Sequence, residues 1–318
     1  MPSSTRREFL LHSSVVSLGV CAALAATGAY SASFATIPII DTHQHLWDFK
    51  KFRPPWLKDA PKINRSYTFA DYAKETAGLN VVHTVYMEVD VDPRQQVAEA
   101  QYVIDTCKGR KTNMAAGVIS CRPASAGFRA YAMRFRGNPY IKGMRQVLQV
   151  PECLRGLCLQ SQYVKNIQLL GELGMSFDIC IRPEELSDGY KLADLCPHTR
   201  FILDHCGNAS ARNPHHAQWK KDITEFAKRK NVVCKVSGII KTVKPEWKPG
   251  PELEPIVKHV IDSFGTDRVM FGGDWPVCNL TFSFRAWVET LRWILRHEKE
   301  ADQVKLFHDN ARHVYGLT

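Results

Sequence analysis

The pattern that decides the fold is clearest in residues 200–239, which read RFILDHCGNASARNPHHAQWKKDITEFAKRKNVVCKVSGI. The apolar run Arg200–Cys206 is typical of a buried strand, and Val232–Ile239 repeats it. Between them, His216–Lys230 has the length and the periodicity of an amphipathic helix. A strand, a helix and a second strand in this order imply that the two strands are parallel.

The same unit recurs along the chain, so that eight predicted strands alternate with eight helices over about 280 residues. The first strand is predicted at Ile37–His45, the eighth at Val269–Trp275, and a closing helix at Ala301–Val314. An open nucleotide-binding sheet would show a glycine-rich loop after its first strand, whereas Asp41–His45 contains no glycine. We therefore predict an α/β protein with one domain, a (β/α)8 TIM barrel spanning residues 36–318.

Composition and charge exclude several classes of protein. The 318 residues are 45% hydrophobic and 23% charged, which is typical of a globular protein rather than a disordered or coiled-coil one. The formal net charge is +10, but the longest basic run is Lys228–Lys230, as on a solvated basic surface. We therefore expect a small-molecule substrate and no nucleic-acid partner. Of the ten cysteines, Cys21 lies near the start of the chain, and the other nine follow no metal or disulfide spacing.

Residues 1–35 are best excluded from the fold. The segment Ser4–Leu10 resembles a twin-arginine export signal, since it holds Arg6 and Arg7 before Phe9 and Leu10. An apolar, small-residue stretch follows, and Ala35 could end a cleavage site. We expect an exported protein, periplasmic or otherwise extracytoplasmic, that has no membrane contact once this signal is removed. An uncleaved N-terminal anchor is the alternative.

Polar side chains end several of the predicted strands, where the active site of such a barrel forms. His43 and His45 end the first strand and point to the same side, because alternate residues of a strand share a face. His205 ends the sixth strand and Asp274 ends the eighth. Three imidazoles and one carboxylate could together hold one zinc-like divalent ion. Strands four and five supply no further ligand, so we expect one ion at most, and a site without metal stays open.

Three segments carry a resemblance to a known family: Asp41–His45, Leu203–Gly207 and Gly273–Val277. They resemble the amidohydrolase superfamily, and within it the amidohydrolase-related (amidohydrolase 2) group. That group includes the sugar lactonases for L-fuconolactone and L-rhamnonolactone, and 2-pyrone-4,6-dicarboxylate lactonase. Supporting likenesses occur at 53–57, 142–145, 234–238 and 310–317, so that the resemblance spans nearly all of residues 37–317.

The resemblance implies a hydrolase that opens a lactone or a similar cyclic ester by the attack of water. Asp274 would be the general base. The oxyanion would be stabilised by one divalent metal on His43, His45 and His205, or by those imidazoles with Arg145. Two alternatives stay open: a metal-dependent non-oxidative decarboxylase of the same superfamily, and a non-catalytic sugar-acid binding protein. The sequence names neither the substrate nor the oligomeric state.

Further side chains are predicted around the substrate. Arg145 resembles a substrate-binding arginine, and Lys235 ends the seventh strand on the same face as Ser237. Trp47 and Trp275 follow catalytic strand ends and could wall the pocket. We also expect the carboxylate of Asp41 to orient the histidines, since it should share the face of His43 and His45.

Overall fold

The computed structural model describes residues 37–318, and Pro38–Thr318 form one compact unit. All eight strands lie in a single parallel sheet in the order β1 to β8. The strands are β1 Ile39–Gln44, β2 Val81–Met87, β3 Met114–Ser120, β4 Ile141–Val147, β5 Ser176–Cys180, β6 Phe201–Leu203, β7 Val232–Val236 and β8 Val269–Phe271. The predicted barrel is thus confirmed for the described residues, whereas the proposed signal at 1–35 lies outside them.

Helices follow the strands and cover the outside of the barrel, as the alternating pattern predicts. They are α1 Phe69–Glu75, α2 Gln96–Gly109, α3 Phe128–Met133, α4 Ser161–Glu172, α5 Leu186–Leu195, α6 Ala217–Ala227, α7 Pro249–Phe264, α8 Phe284–Ile294, α9 Glu300–Val304 and α10 Asn310–Tyr315. A π-helical turn, Lys305–Asp309, joins α9 to α10 within the predicted closing helix. Short 3-10 helices occupy several of the loops, including Pro55–Asp59, Ile239–Thr242 and Val277–Leu280. Among residues 37–318, no helix is both long and apolar enough to cross a bilayer.

The barrel closes between the end of β1 and the segment that follows β8. The backbone N–H of Asp274 donates to the carbonyl of His43 over 2.9 Å, and the N–H of His45 donates to the carbonyl of Trp275 over 2.8 Å. These bonds belong to residues whose side chains the sequence placed in the active site. The hydrogen bonds that close the barrel therefore also bring the predicted site residues together.

The lower part of the barrel interior is filled by apolar side chains. Residues such as Ile40, Val118 and Met270 from the strands pack with Tyr315 and Leu317 from the end of the chain. Burial of apolar surface on this scale is the main force that holds such a fold together. With α10 covering the bottom of the barrel, the opposite end, where the strands finish, is left for chemistry.

Strands six and eight end earlier than the sequence predicts. We expected them to reach Cys206 and Trp275, but β6 ends at Leu203 and β8 at Phe271. The reason is that His205 and Asp274 adopt left-handed backbone, with φ of 57° and 54°, which no strand accommodates. The chain turns at these residues, and the turns carry their side chains over the mouth of the barrel.

A bulge in β1 also changes the expected alternation. Asp41 pairs with Thr84 and Gln44 pairs with Tyr86, so β1 has one more residue than β2 between these two pairs. The prediction that Asp41 shares the face of the histidines is therefore wrong. Its carboxylate accepts bonds from the backbone N–H groups of His43 and Gly273 and from the hydroxyl of Tyr72 in α1. It fixes the backbone on which His43 stands, without touching an imidazole.

Candidate active site

A cavity of about 250 Å³ lies at the carboxyl ends of the strands. Its lining comes from strand ends and from the loops that follow them, which is where barrels of this type place their sites. The lining residues are His45, Trp56, Val89, Asp90, Arg145, Val147, Gln149, Val150, Cys180, His205, Lys241, Asp274 and Val277.

The closure of the barrel brings Asp274 against both histidines of β1. Its Oδ1 lies 3.3 Å from Nε2 of His45 and 3.8 Å from Nε2 of His43. Nδ1 of His45 lies 3.0 Å from the carbonyl oxygen of Met87. A carbonyl only accepts, so Nδ1 of His45 carries a proton.

His205 reaches the same cluster from the turn after β6. Its ring centroid lies 4.5 Å from that of His43. Its Nδ1 lies 2.9 Å from Oγ of Ser237, which fixes the ring orientation. Gly238 follows with φ of 66°, and a Cβ there would lie 2.3 Å from Nδ1 of His205. Glycine at this position therefore makes the space that His205 occupies.

Arg145 lines the cavity from β4 and is held on every side by acceptors. Its Nε donates to Oε1 of Glu88 over 2.7 Å, and its Nη2 donates to the backbone carbonyl of Glu88 over 2.8 Å. Its Nη1 donates to Oδ2 of Asp204 over 3.0 Å and lies 3.2 Å from Nε2 of His43. This fork of fixed donors is one that only a guanidinium provides.

Lys235 lies beneath the cavity and not on its wall. Its ammonium group is completely buried, donating to Oδ2 of Asp178 over 2.6 Å and lying 3.4 Å from Oδ1 of Asp204. A buried ammonium requires such carboxylate partners, because burial without them is very costly. In this structure Lys235 supports Asp204, which in turn holds Arg145.

The two tryptophans that were predicted as pocket walls are also buried away from the cavity. Trp47 donates its indole N–H to the carbonyl of Arg65 over 2.6 Å, and Trp275 packs edge-on against Tyr67. The aromatic residue that lines the cavity is Trp56, whose ring packs edge-on against Trp47. Trp47 and Trp275 thus form the layer behind the wall.

Three functional candidates were missed by the sequence analysis: Trp56, Asp204 and Lys241. Lys241 stands on the 3-10 helix after β7, and its Nζ donates to Oδ2 of Asp274 over 3.0 Å. Trp56 lies in the long loop after β1. Because loops at this end of a barrel carry function, a polar or aromatic residue soon after a strand was the available signal. Asp204 directly precedes His205, and its position in the sequence does not show which of the two faces the interior.

Burial and the surrounding charges fix the protonation of the cluster. Burial alone would raise the pKa of Asp274, but the Lys241 ammonium and the nearby imidazoles hold it well below its usual range. Burial lowers the pKa of His43 well below its ordinary value and that of His205 to about 3. Near neutral pH the site therefore presents the ionised carboxylate of Asp274 close to the neutral imidazoles of His43 and His205, which suits both proton abstraction and metal binding.

The buried histidine and aspartate cluster could hold a metal ion. Donor atoms fall into two groups that share His43: one with His45 and Asp274, the other with Asp204 and His205. The four predicted ligands therefore do not form a single group. The Nδ1 atom of His43 and the Oδ1 atom of Asp204 are both buried without a hydrogen-bond partner among the described residues.

The donor set fits one ion and not two. A neutral imidazole has one lone pair, so His43 can serve only one of the two groups at a time. In the group with His45 and Asp274, an ion would compete with Arg145, whose Nη1 lies 3.2 Å from Nε2 of His43. A zinc-like ion could therefore be held by His43 together with His45 and Asp274, or by His43 together with Asp204 and His205.

Several curated proteins are similar to this chain over most of its length. An L-fucono-1,5-lactonase of Burkholderia ambifaria is 28% identical over 298 residues, covering 87% of this chain and 95% of the relative. An L-rhamnono-gamma-lactonase of Scheffersomyces stipitis is 23% identical over 326 residues, covering 87% of this chain and 96% of the relative.

A solved structure shares the fold. It is an amidohydrolase from Burkholderia multivorans with bound zinc, 22% identical, with a TM-score of 0.77 over 88% of this chain and 100% of that one. A family model described as amidohydrolase (Amidohydro_2) matches residues 40–317. With a match of this length over the whole barrel and its site, the chain belongs to the amidohydrolase 2 family.

Proposed function

We propose that this protein hydrolyses a lactone, with Asp274 as the general base. The observation that supports the proposal most directly is the pairing of Asp274 with Lys241 on one side and His45 on the other, at the edge of the cavity. A carboxylate in this setting stays ionised and can accept a proton from water. The named lactonases among the relatives support the same reaction class.

The side chains around the cavity can supply each proton transfer and charge stabilisation that the hydrolysis of a lactone needs. A water molecule hydrogen-bonded to Asp274 attacks the carbonyl carbon of the lactone while the carboxylate takes its proton. The carbonyl electron pair moves to oxygen, where N–H groups of Arg145 and His205 stabilise the negative charge. When the carbonyl reforms, the bond to the ring oxygen breaks and that oxygen takes the proton back from Asp274. The product is one open-chain hydroxy acid.

A divalent ion would add to this chemistry without changing the roles of the side chains. Held by His43, His45 and Asp274, a zinc-like ion would supply Lewis acidity to the carbonyl oxygen and to water. Arg145 and Lys241 would then balance the charge of the carboxylates around it.

The test is a panel of lactones, followed by acid release at weak buffering. We expect the wild-type protein to open at least one of them, and Asp274→Asn to keep the fold while losing about 10²–10³-fold in kcat. Asp262→Asn, an exposed change on α7, is the matched control and should leave the rate unchanged. Hydrolysis by Asp274→Asn at the wild-type rate would show that another group is the base.

The same experiment separates the proposal from its two rivals. A non-catalytic binding protein would open no lactone, and Asp274→Asn would have no turnover to lose. A decarboxylase would release carbon dioxide from aromatic or unsaturated acids, and headspace analysis of the same protein measures this directly. Carbon dioxide release without lactone opening would replace the proposed reaction.

A further inference from the structure

We infer that the lactone carries a short hydrocarbon substituent in place of a ring of hydroxyl groups. The inference rests on the proposed function, and it concerns the part of the substrate that does not react. It rests on the chemistry of the cavity wall outside the reacting cluster, by which we mean the lining residues His45, Arg145, His205, Lys241 and Asp274.

Apolar side chains reach the cavity from several separate segments. Trp56 comes from the loop after β1, Val89 from the end of β2, Val147 and Val150 from the end of β4 and its loop, and Val277 from the 3-10 helix after β8. Because they come from four regions of the barrel, a substrate meets hydrocarbon in several directions. Most ligand sites combine such walls with a few placed polar groups.

The polar groups on these walls are few and partly engaged. Among the described lining residues outside the reacting cluster, Asp90 and Gln149 have the charged or amide side chains. Oδ1 of Asp90 already accepts from Nη2 of Arg122 over 2.8 Å. The indole N–H of Trp56 donates to the carbonyl of Val89 over 2.8 Å, so its polar atom is used as well.

The floor of the cavity offers little more to a polyhydroxylated ligand. Lys241 is paired with Asp274, and Arg145 is paired with Glu88 and Asp204. A sugar lactone has a hydroxyl group on most ring carbons, and each would lose its water on entering this site. Hydroxyl groups that face the apolar walls would be left unsatisfied, which weakens binding.

The size of the cavity limits the substituent. At about 30 Å³ for each water-sized group, a volume of about 250 Å³ holds about eight such groups, which is a six-membered lactone with its carbonyl oxygen and about one carbon of its substituent. We therefore expect the benefit of added carbon atoms to level off after the first one or two.

The test compares δ-lactones that share one ring: δ-valerolactone, δ-hexalactone, δ-octalactone and glucono-δ-lactone. Each rate is corrected with the Asp274→Asn variant for spontaneous opening. Because a buried methylene favours binding by a nearly constant free energy, kcat/KM should rise about fourfold for each of the first added carbons. Glucono-δ-lactone should be at least about tenfold poorer than δ-octalactone.

A wall variant tests the site itself. Val150→Thr keeps the shape of the side chain and replaces a methyl group by a hydroxyl, so it should reduce the rate for δ-octalactone about threefold more than the rate for δ-valerolactone. The matched control is Val97→Thr on the exposed surface of α2, which should change neither rate. An equal effect of Val150→Thr on both substrates would contradict the assignment of this wall to the substituent.

The outcomes distinguish the inference from the function beneath it. A preference for glucono-δ-lactone would overturn the inference and leave the lactonase proposal standing. If the wild-type protein opens no δ-lactone faster than Asp274→Asn does, the proposed reaction fails for this ring class. The inference about the substituent is then tested by ligand binding. In that case the propyl-substituted δ-lactam, which cannot hydrolyse, should raise the melting temperature more than gluconolactam does, and the reverse order would refute the inference.

Discussion

The backbone N–H of Asp274 donates to the carbonyl oxygen of His43 over 2.9 Å, while the carboxylate of Asp274 lies 3.8 Å from the imidazole of His43. The same two residues thus join the segment after β8 to β1 and lie at the centre of the candidate site. The backbones of the two residues cannot separate unless the barrel opens at this seam. The geometry of the base is therefore as rigid as the barrel itself.

Zinc should bind with a stoichiometry of at most one per chain, and Arg145→Met should bind it more tightly. The reason is that Arg145 competes with an ion for Nε2 of His43. Equilibrium dialysis followed by elemental analysis measures both quantities, with circular dichroism to confirm the fold. His45→Ala should abolish binding, and Arg94→Met, an exposed change, should have no effect. Two tightly held ions per chain would require ligands outside the two groups that share His43.

Lys235→Met should destabilise the fold by about 3–5 kcal/mol, because it leaves Asp178 buried without its cation and removes one of the two cations next to Asp204. Urea unfolding measures the loss. Lys305→Met removes an ammonium group that pairs with Asp267 on the surface, so it should change the stability far less. Adding Asp178→Leu to Lys235→Met should recover part of the loss. Equal costs for the two lysines would show that the buried pair is not a structural support.

The contribution of Glu99 to the stability of the protein should fall as the pH rises from about 4.5 to about 7. Burial and the neighbouring Glu88 raise the pKa of Glu99 from 4.5 to about 7. The folded state therefore holds this proton more tightly than the unfolded state, and its contribution to stability is lost as the proton leaves. Glu99→Gln should flatten this dependence by on the order of 1–3 kcal/mol. Melting temperatures across the range test it, with the exposed Glu289→Gln as the control.

We propose export by the twin-arginine pathway, and replacing both Arg6 and Arg7 with lysine should retain the protein inside the cell. The reason is that this pathway reads the arginine pair rather than positive charge alone, and lysine keeps only the charge. Fractionation of cells that make the wild-type or the double variant measures the effect. Replacing Lys228 and Lys230 with arginine is a control of equal charge and should not change the distribution. Normal export of the double variant would contradict the proposal.

The sequence was sufficient for the barrel and for the reacting cluster, because both depend on periodicity. Apolar runs at regular spacing locate strands, and polar residues at strand ends point to a shared mouth, which is how His43, His205 and Asp274 were found. Periodicity shows on which face of a strand a side chain lies, but it does not show how far that side chain lies from the cavity. For that reason Lys235 and Trp275 were expected on the wall, whereas they lie behind or beneath it.

The remaining misses have local causes. The bulge in β1 shifts the register after Asp41, and nothing in the alternation of the sequence marks it. Lys241 and Trp56 stand in loops, whose conformation follows from tertiary contacts rather than from any repeat. Arg145 was identified through family resemblance, because a lone arginine in a strand does not by itself indicate the four acceptors that surround it.

The left-handed backbone of His205 and Asp274 has a consequence for anyone who engineers this protein. Non-glycine residues in that conformation cost on the order of 1–3 kcal/mol each, and both stand in the site. Selection for heat resistance alone would therefore favour glycine at these two positions and remove the chemistry along with the strain. A directed-evolution campaign on this barrel needs turnover as a second criterion, and its stabilising changes are best sought in the outer helices.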